Sequence, residues 1–199
     1  MSVGTLGRLE WAAAGQRCAG ERVSGDLALL MPIETGLLVA IFDGLGHGER
    51  AHEAAEVTRE TLAAAPDEPM SRQFERVHAA LRVTVGGALG LALFSADGSQ
   101  VVFGGIGNTV ARRLHPSSRT LSSSAGVLGQ RYSRPGMYES SLAEGDVWIL
   151  HTDGISRSFG AEELPQTSYQ SARTLARTVV RRFSSFFDDA TCVIVRVTP

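Results

Sequence analysis

Leu37-Leu38-Val39-Ala40-Ile41-Phe42-Asp43-Gly44-Leu45-Gly46-His47-Gly48 reads as a buried strand that ends at an aspartate and breaks into a glycine-rich loop. Upstream, Leu27 to Met31 forms a second short apolar run, and Pro32, Glu34 and Gly36 punctuate the gap, so the two runs are expected to pair as a hairpin. Downstream of Gly48 the period changes. Ala51, Ala54, Ala55, Thr58 and Leu62 recur at helical spacing until Pro66, and Met70, Phe74, Val77 and Leu81 form a second stripe after Pro69.

Beyond these two helices the pattern returns to strands. Ala88 to Phe94, Val101 to Gly105, Val110 to Leu114 and Val147 to Leu150 are apolar runs separated by Asp97-Gly98, Gly107-Asn108 and Gly145-Asp146, which reads as an antiparallel meander. Ser117, Ser118, Ser122, Ser123, Ser124 and Gly126 read as a polar, flexible stretch within it. Ala172, Leu175, Ala176, Val179 and Phe183 mark a late helix, and Cys192 to Val197 a final strand. The order implies an α+β protein, an α-β-β-α sandwich of two antiparallel sheets flanked by helices, as one domain over residues 1–199. A Rossmann fold is excluded because the only glycine-rich loop lacks the dinucleotide fingerprint.

A chain of 199 residues that is 43% hydrophobic can bury a full core. Its formal charge of −2 provides no global basic field, which argues against nucleic acid or anionic lipid as a partner. Cys18 and Cys192 stand far apart without a Cys-x-x-Cys or Cys/His cluster, the usage of a reducing cytosol. No apolar stretch reaches signal-peptide or membrane-span length near Arg8 and Glu10 or elsewhere, so a cytoplasmic protein is expected.

Four acidic positions lie where apolar runs end: Asp26 in Ser24-Gly25-Asp26, Asp43, Asp153 in Thr152-Asp153-Gly154, and the pair Asp188-Asp189. Asp-Gly is also the commonest hairpin-turn dipeptide, and Asp97-Gly98 reads as only that. Turn chemistry does not require aspartates at the ends of several buried strands, with glycines and a histidine following one of them at the mouth of a helix. Carboxylates gathered in a partly dry site repel one another unless cations neutralise them. An all-oxygen donor set without a His or Cys cluster favours magnesium or manganese over zinc. Gly44, lacking a Cβ, lets its carbonyl approach such an ion.

In order along the chain, Gly20-Glu21-Arg22-Val23-Ser24-Gly25-Asp26, Asp43-Gly44-Leu45-Gly46-His47-Gly48, Gly107-Asn108, Leu128-Gly129, Gly145-Asp146, Thr152-Asp153-Gly154 and Asp188-Asp189-Ala190-Thr191 resemble the metal-dependent protein phosphatases, in particular their bacterial SpoIIE-like branch. The resemblance spans about Leu9 to Val197. It departs at Gly86-Gly87-Ala88-Leu89-Gly90, where many relatives carry a Gly-Thr-Thr-Ala-like segment; no proposed ligand lies there.

The resemblance implies a two-metal site, with Mn or Mg, in which Asp43 bridges the ions, Gly44 contributes its carbonyl, Asp153 and Asp188 complete one shell and Asp26 serves the other. Hydrolysis of phosphoserine or phosphothreonine by a metal-activated water is the implied reaction. The compact length is similar to that of RsbX-type members, which implies a STAS-domain or stressosome protein as the phosphorylated partner. His47 is a candidate proton donor to the leaving oxygen, or a loop histidine at a helix start. Arg22 is a candidate phosphate ligand, or a solvated arginine. Arg173, Arg177 and Arg181 recur every fourth residue opposite the apolar stripe of the late helix, as a face for an acidic partner or simply a solvated one. A non-catalytic scaffold of the same fold and a small-molecule phosphoesterase are the alternatives.

Overall fold

The structure is a computed structural model that describes residues 2–156 and 159–199. Strands β1 (Val3–Leu6), β2 (Leu9–Gln16), β3 (Asp26–Ile33) and β4 (Gly36–Gly44) come first, followed by helices α1 (Glu49–Ala63) and α2 (Met70–Ala80). Strands β5 (Gly87–Ser95), β6 (Gln100–Ile106), β7 (Val110–His115), β8 (Arg119–Ser122), β9 (Gly126–Val127), β10 (Arg131–Tyr132), β11 (Met137–Ser141) and β12 (Val147–His151) follow. Helix α3 (Ala172–Phe183) and strand β13 (Ala190–Val197) complete the order.

Two antiparallel sheets result, one ordered β1-β2-β13-β12-β7-β8 and the other β11-β6-β5-β4-β3, with β9 and β10 paired separately. Between the sheets lies the main core, where Leu37, Val39 and Ile41 of β4 meet Trp11, Trp148, Val193 and Val195 of the facing sheet. Alternation sends the intervening residues outward: Ala40 and Phe42 pack under α1 and α2 against Phe74 and Val77. On the opposite side, Cys192 and Ile194 of β13 pack under Leu175, Ala176 and Val179 of α3. Strand β4 is therefore apolar from Leu37 to Phe42 because it is covered on both faces there. Truncating Phe42, which has no exposed surface, to alanine should cost about 3–5 kcal/mol.

The expected α-β-β-α sandwich, the β3–β4 hairpin and the three helical stripes are all present. The buried residues of α1 are Ala51, Ala54, Ala55, Thr58 and Leu62, the stripe read from spacing. Two expectations are corrected. The runs from Ala88 to Leu150 are not one meander: β5 and β6 belong to one sheet, whereas β7 and β12 pair with each other in the facing sheet. The serine-rich stretch after Ser117 contains β8, whose residues 119–122 pair with β7, so it is a sheet edge rather than a flexible loop. None of the described helices is long and apolar enough to cross a membrane.

Candidate metal centre

Register brings the first two carboxylates together. In the antiparallel β3–β4 pair Asp26 stands directly opposite Asp43, and Gly44 N–H donates to the Gly25 carbonyl at 3.1 Å. The facing sheet supplies the remainder from the same edge: Thr152-Asp153 leaves β12, and Asp188-Asp189 leads into β13, which pairs with β12. A hydroxyl joins the two sheets here. Thr152 Oγ1 donates to Asp26 Oδ2 at 2.7 Å and accepts the Thr191 N–H at 3.0 Å.

Asn108, at the turn between β6 and β7, links Asp43 to Asp153. Its Nδ2 donates to Asp43 Oδ2 at 2.8 Å and to Asp153 Oδ2 at 2.6 Å. Burial first, and Asp153 second, push the Asp43 carboxyl up to about 7. Burial, followed by repulsion from Asp43, holds Asp26 well above the ordinary aspartate range despite the Thr152 bond. Asp188 is also raised, by burial and then by Asp153. Asp43 thus feels Asp153 and Asp188, and Asp26 feels Asp43. The four carboxylates proposed from the sequence form one electrostatically connected group centred on Asp43.

Asp189 has a different task from its neighbour. It is 3% exposed, its Oδ1 accepts the Cys18 N–H at 2.8 Å and its Oδ2 accepts the Gly25 N–H at 2.7 Å. Both oxygens are committed to holding the 17–25 loop against β13. Gly154 lies so close to this turn that a Cβ on it would come within 1.9 Å of the Asp189 carbonyl oxygen, so no larger residue fits there. Gly44 is constrained similarly, since a Cβ there would meet the Ala51 carbonyl oxygen of α1 at 2.7 Å.

The donor chemistry suits a hard divalent cation: the group is all oxygen, partly buried and destabilised by its own charge. Among the described residues, no three acidic, histidine or cysteine side chains are grouped closely enough to hold an ion by themselves. Carboxylates in pairs, Asp26 with Asp43 and Asp43 with Asp153, fit a cation that keeps several waters and uses one or two carboxylates, the habit of magnesium.

At the rim, His47 Nδ1 lies 2.6 Å from Glu21 Oε1, and its ring is half exposed. Arg22 is exposed on the 17–25 loop, where its carbonyl accepts from Arg17 Nη1 at 3.2 Å. Burial raises both thiols, that of Cys192 to about 12, so neither cysteine supplies a thiolate nucleophile. Sequence reading assigned no role to Asn108 or Thr152, although both stood within motifs that carry the family resemblance.

The family model described as Stage II sporulation protein E (SpoIIE) matches residues 34–198. The chain belongs to the SpoIIE family. That family is the bacterial branch of metal-dependent, PP2C-type protein phosphatases to which the sequence motifs pointed. Among curated relatives, the phosphoserine phosphatase RsbX of Bacillus subtilis (strain 168) is 24% identical over 140 residues, 69% of this chain and 70% of the relative. The crystal structure of RsbX in complex with magnesium superposes with a TM-score of 0.86 at 19% identity, covering 99% of each chain. A structure from the bacterial stressosome, described as a modular system adapted to control secondary messenger signalling, gives 0.85 at 24% identity, over 94% of this chain and 99% of that one. The likeness to both structures establishes the sandwich as the phosphatase fold.

Proposed function

We propose that this SpoIIE-family member is a metal-dependent serine/threonine phosphoprotein phosphatase, one catalytic domain over residues 1–199, acting in the cytoplasm on a regulatory protein of a partner-switching or stressosome system. A STAS-domain protein is the class of partner in this reading. One observation carries it: carboxylates from both sheets gather around Asp43, which Asn108 ties to Asp153, and burial and mutual repulsion raise Asp26, Asp43 and Asp188. The phosphoserine phosphatase and stressosome relatives support the choice of substrate.

In this reading Asp43, Gly44 through its carbonyl, Asp153, Asp188 and Asp26 would hold two divalent cations, with Asp43 as the central ligand. When bound, magnesium or manganese would supply the charge that activates water and stabilises phosphoryl transfer. The protein's own groups orient that chemistry. Asn108 ties Asp43 to Asp153 through one amide, fixing which carboxylate lone pairs remain free. Thr152 does the same for Asp26. Arg22 offers a two-pronged donor to the substrate phosphate. His47, held by Glu21 through Nδ1, has Nε2 left to protonate the departing serine oxygen.

The test is phosphate release from a phosphoserine STAS protein in manganese buffer, with Asp43→Ala and Asp153→Ala as controls. Turnover that both folded variants lose is expected. Full activity in either variant would remove the site assignment. Wild-type turnover of an aryl phosphate but of no phosphoprotein would make it a small-molecule phosphoesterase.

A further inference from the structure

Beside the carboxylates a groove of about 1130 Å³ runs from Asp26 between the end of β2, the 17–25 loop and the exposed face of α3. Arg17, Arg22, Arg173, Arg177 and Arg181 line it, and Asp26 is the one acidic residue among the described residues that do. None of these five arginines has an acidic partner among the described residues. Elsewhere Arg8, Arg59, Arg72, Arg76, Arg113 and Arg196 each find one, whereas Arg50, Arg82, Arg119, Arg131, Arg134 and Arg182 also stand without one among the described residues; what sets the groove apart is that five such arginines line one cavity.

Helix α3 gives up local stability to present this face. Arg173, Arg177 and Arg181 follow one another at i,i+4, where like charges repel, on the side opposite buried Leu175, Ala176 and Val179. Arg173 also lies in the first turn, at the positive end of the helix dipole, where Glu10 of β2 accepts the Ala172 N–H at 2.9 Å while pairing with Arg196 rather than Arg173. Carboxylates on this face would relieve the repulsion along it. Those of the bordering strand and loop are committed elsewhere, Glu10 to Arg196 and the Ala172 N–H, and Glu21 to His47.

We propose that the groove docks an acidic surface of the phosphoprotein substrate, next to its phosphorylated residue. The proposal rests on the phosphatase reading and adds to it the chemistry by which a substrate is chosen. Successive arginines one helical turn apart, about 6 Å along the axis, match carboxylates on alternate residues of an extended segment, about 6.6 Å apart. Guanidinium groups suit such a partner because their fork donates two parallel hydrogen bonds to a carboxylate. Five cations leading to a carboxylate-rich catalytic mouth also keep an acidic substrate from being repelled by Asp26 and its neighbours.

The experiment compares wild type with the Arg173→Glu/Arg177→Glu/Arg181→Glu variant in manganese, with circular dichroism as a check of fold. Three substrates are used: para-nitrophenyl phosphate, a phosphoserine peptide with glutamates on alternate residues, and the same peptide with glutamines. Peptide binding is read separately by fluorescence anisotropy. Wild type should favour the glutamate peptide, and the variant should raise its KM about tenfold or more while para-nitrophenyl phosphate turnover and kcat stay unchanged. Added salt should erase the preference.

Should the triple variant fail to fold, Arg177→Gln carries the test with a smaller shift in the same direction. Equal binding of the two peptides by wild type, or an unchanged KM in the folded variant, would overturn the docking surface while leaving the phosphatase reading standing. Binding that depends on the arginines without turnover of either peptide would sink the phosphatase reading and leave the acidic docking surface. Tighter binding of a single-stranded oligonucleotide of equal charge would overturn the choice of a protein partner.

Discussion

The carboxylate mouth and the arginine groove are neighbours that each concentrate one sign of charge, and they bear the consequences differently. At the mouth, Asp26 and Asp43 are desolvated and face each other across two strands, so repulsion appears directly as raised pKa values. In the groove, Arg173, Arg177 and Arg181 are exposed, and water and salt screen them from one another. Crowding like charges is expensive in proportion to how dry they are. In the proposed reading, counter-ions let the mouth be both folded and ionised, whereas the groove would only gain from a partner.

The largest expected effect comes from removing the hub of the dry cluster. Asp43→Asn should lower phosphatase kcat by about 10³-fold or more, the scale for losing a preorganised charge-stabilising group. The same change should raise the metal-free Tm by about 3 °C or more, since it removes a buried, repelled carboxylate and about 1 kcal/mol moves Tm by 2–4 °C in a domain of this size. A variant that loses activity and stability together would break the contrast between mouth and groove.

Asp188 and Asp189 sharpen it within two residues. Asp189→Ala leaves the buried N–H groups of Cys18 and Gly25 without their charged acceptor. At about 1.5–3 kcal/mol for each hydrogen bond to a charged group, a loss of roughly 4 kcal/mol is expected in thermal or urea melts. Asp188→Ala should remove activity with little change in Tm. Equal destabilisation by both would show that the pair does not divide its labour.

Metal and pH should act on the mouth alone. Asp26 and Asp43 have folded-state pKa values raised above the unfolded value of about 3.9, Asp43 to about 7. Their contribution to metal-free stability is greatest near pH 4 and below, and is lost as pH rises toward 7, because the folded state must then give up protons the unfolded chain has already released. Metal-free Tm should therefore fall between pH 5 and pH 7.5 through these groups. Magnesium or manganese at 100 times Kd should restore about 2.7 kcal/mol at pH 7.5. Indifference of Tm to both would mean the cluster holds no cation.

The smallest effect is assigned to the rim. His47→Ala should lower kcat by about 10²-fold, the low end for a general acid, because the ring is half exposed and water substitutes in part. The acidic limb of the pH–rate profile should not move. A change in KM alone would make His47 a substrate contact instead of a proton donor.

The sandwich was legible wherever an element's own periodicity carried the signal. Strand β4 and helices α1 and α3 announce themselves because continuous or 3.6-fold burial is written into 6 to 15 consecutive residues. Strand β2 was missed because Ala12, Ala13, Ala14 and Gly15 have weak strand preference, and their place is fixed by pairing with β13. The passage of the chain from β6 in one sheet to β7 in the other is invisible for a related reason: alternation tells which residues are buried, not which sheet buries them. At the site, strand ends exposed the aspartates as candidates. The roles of Asn108, Thr152 and Asp189 arise only when residues 45 to 171 positions apart meet, and no local pattern encodes that meeting. The arginine stripe of α3 was visible as a pattern, but not the groove that joins it to Asp26.

The Asp189 clamp also sets when the protein becomes competent. Its two anchor points lie 171 and 164 residues upstream, so a nascent chain still emerging from the ribosome has the loop that carries Arg22 but nothing to fasten it. Closure of so long a span comes late in folding, once β13 has docked between β2 and β12. In the proposed reading, no working state precedes the synthesis and docking of β13.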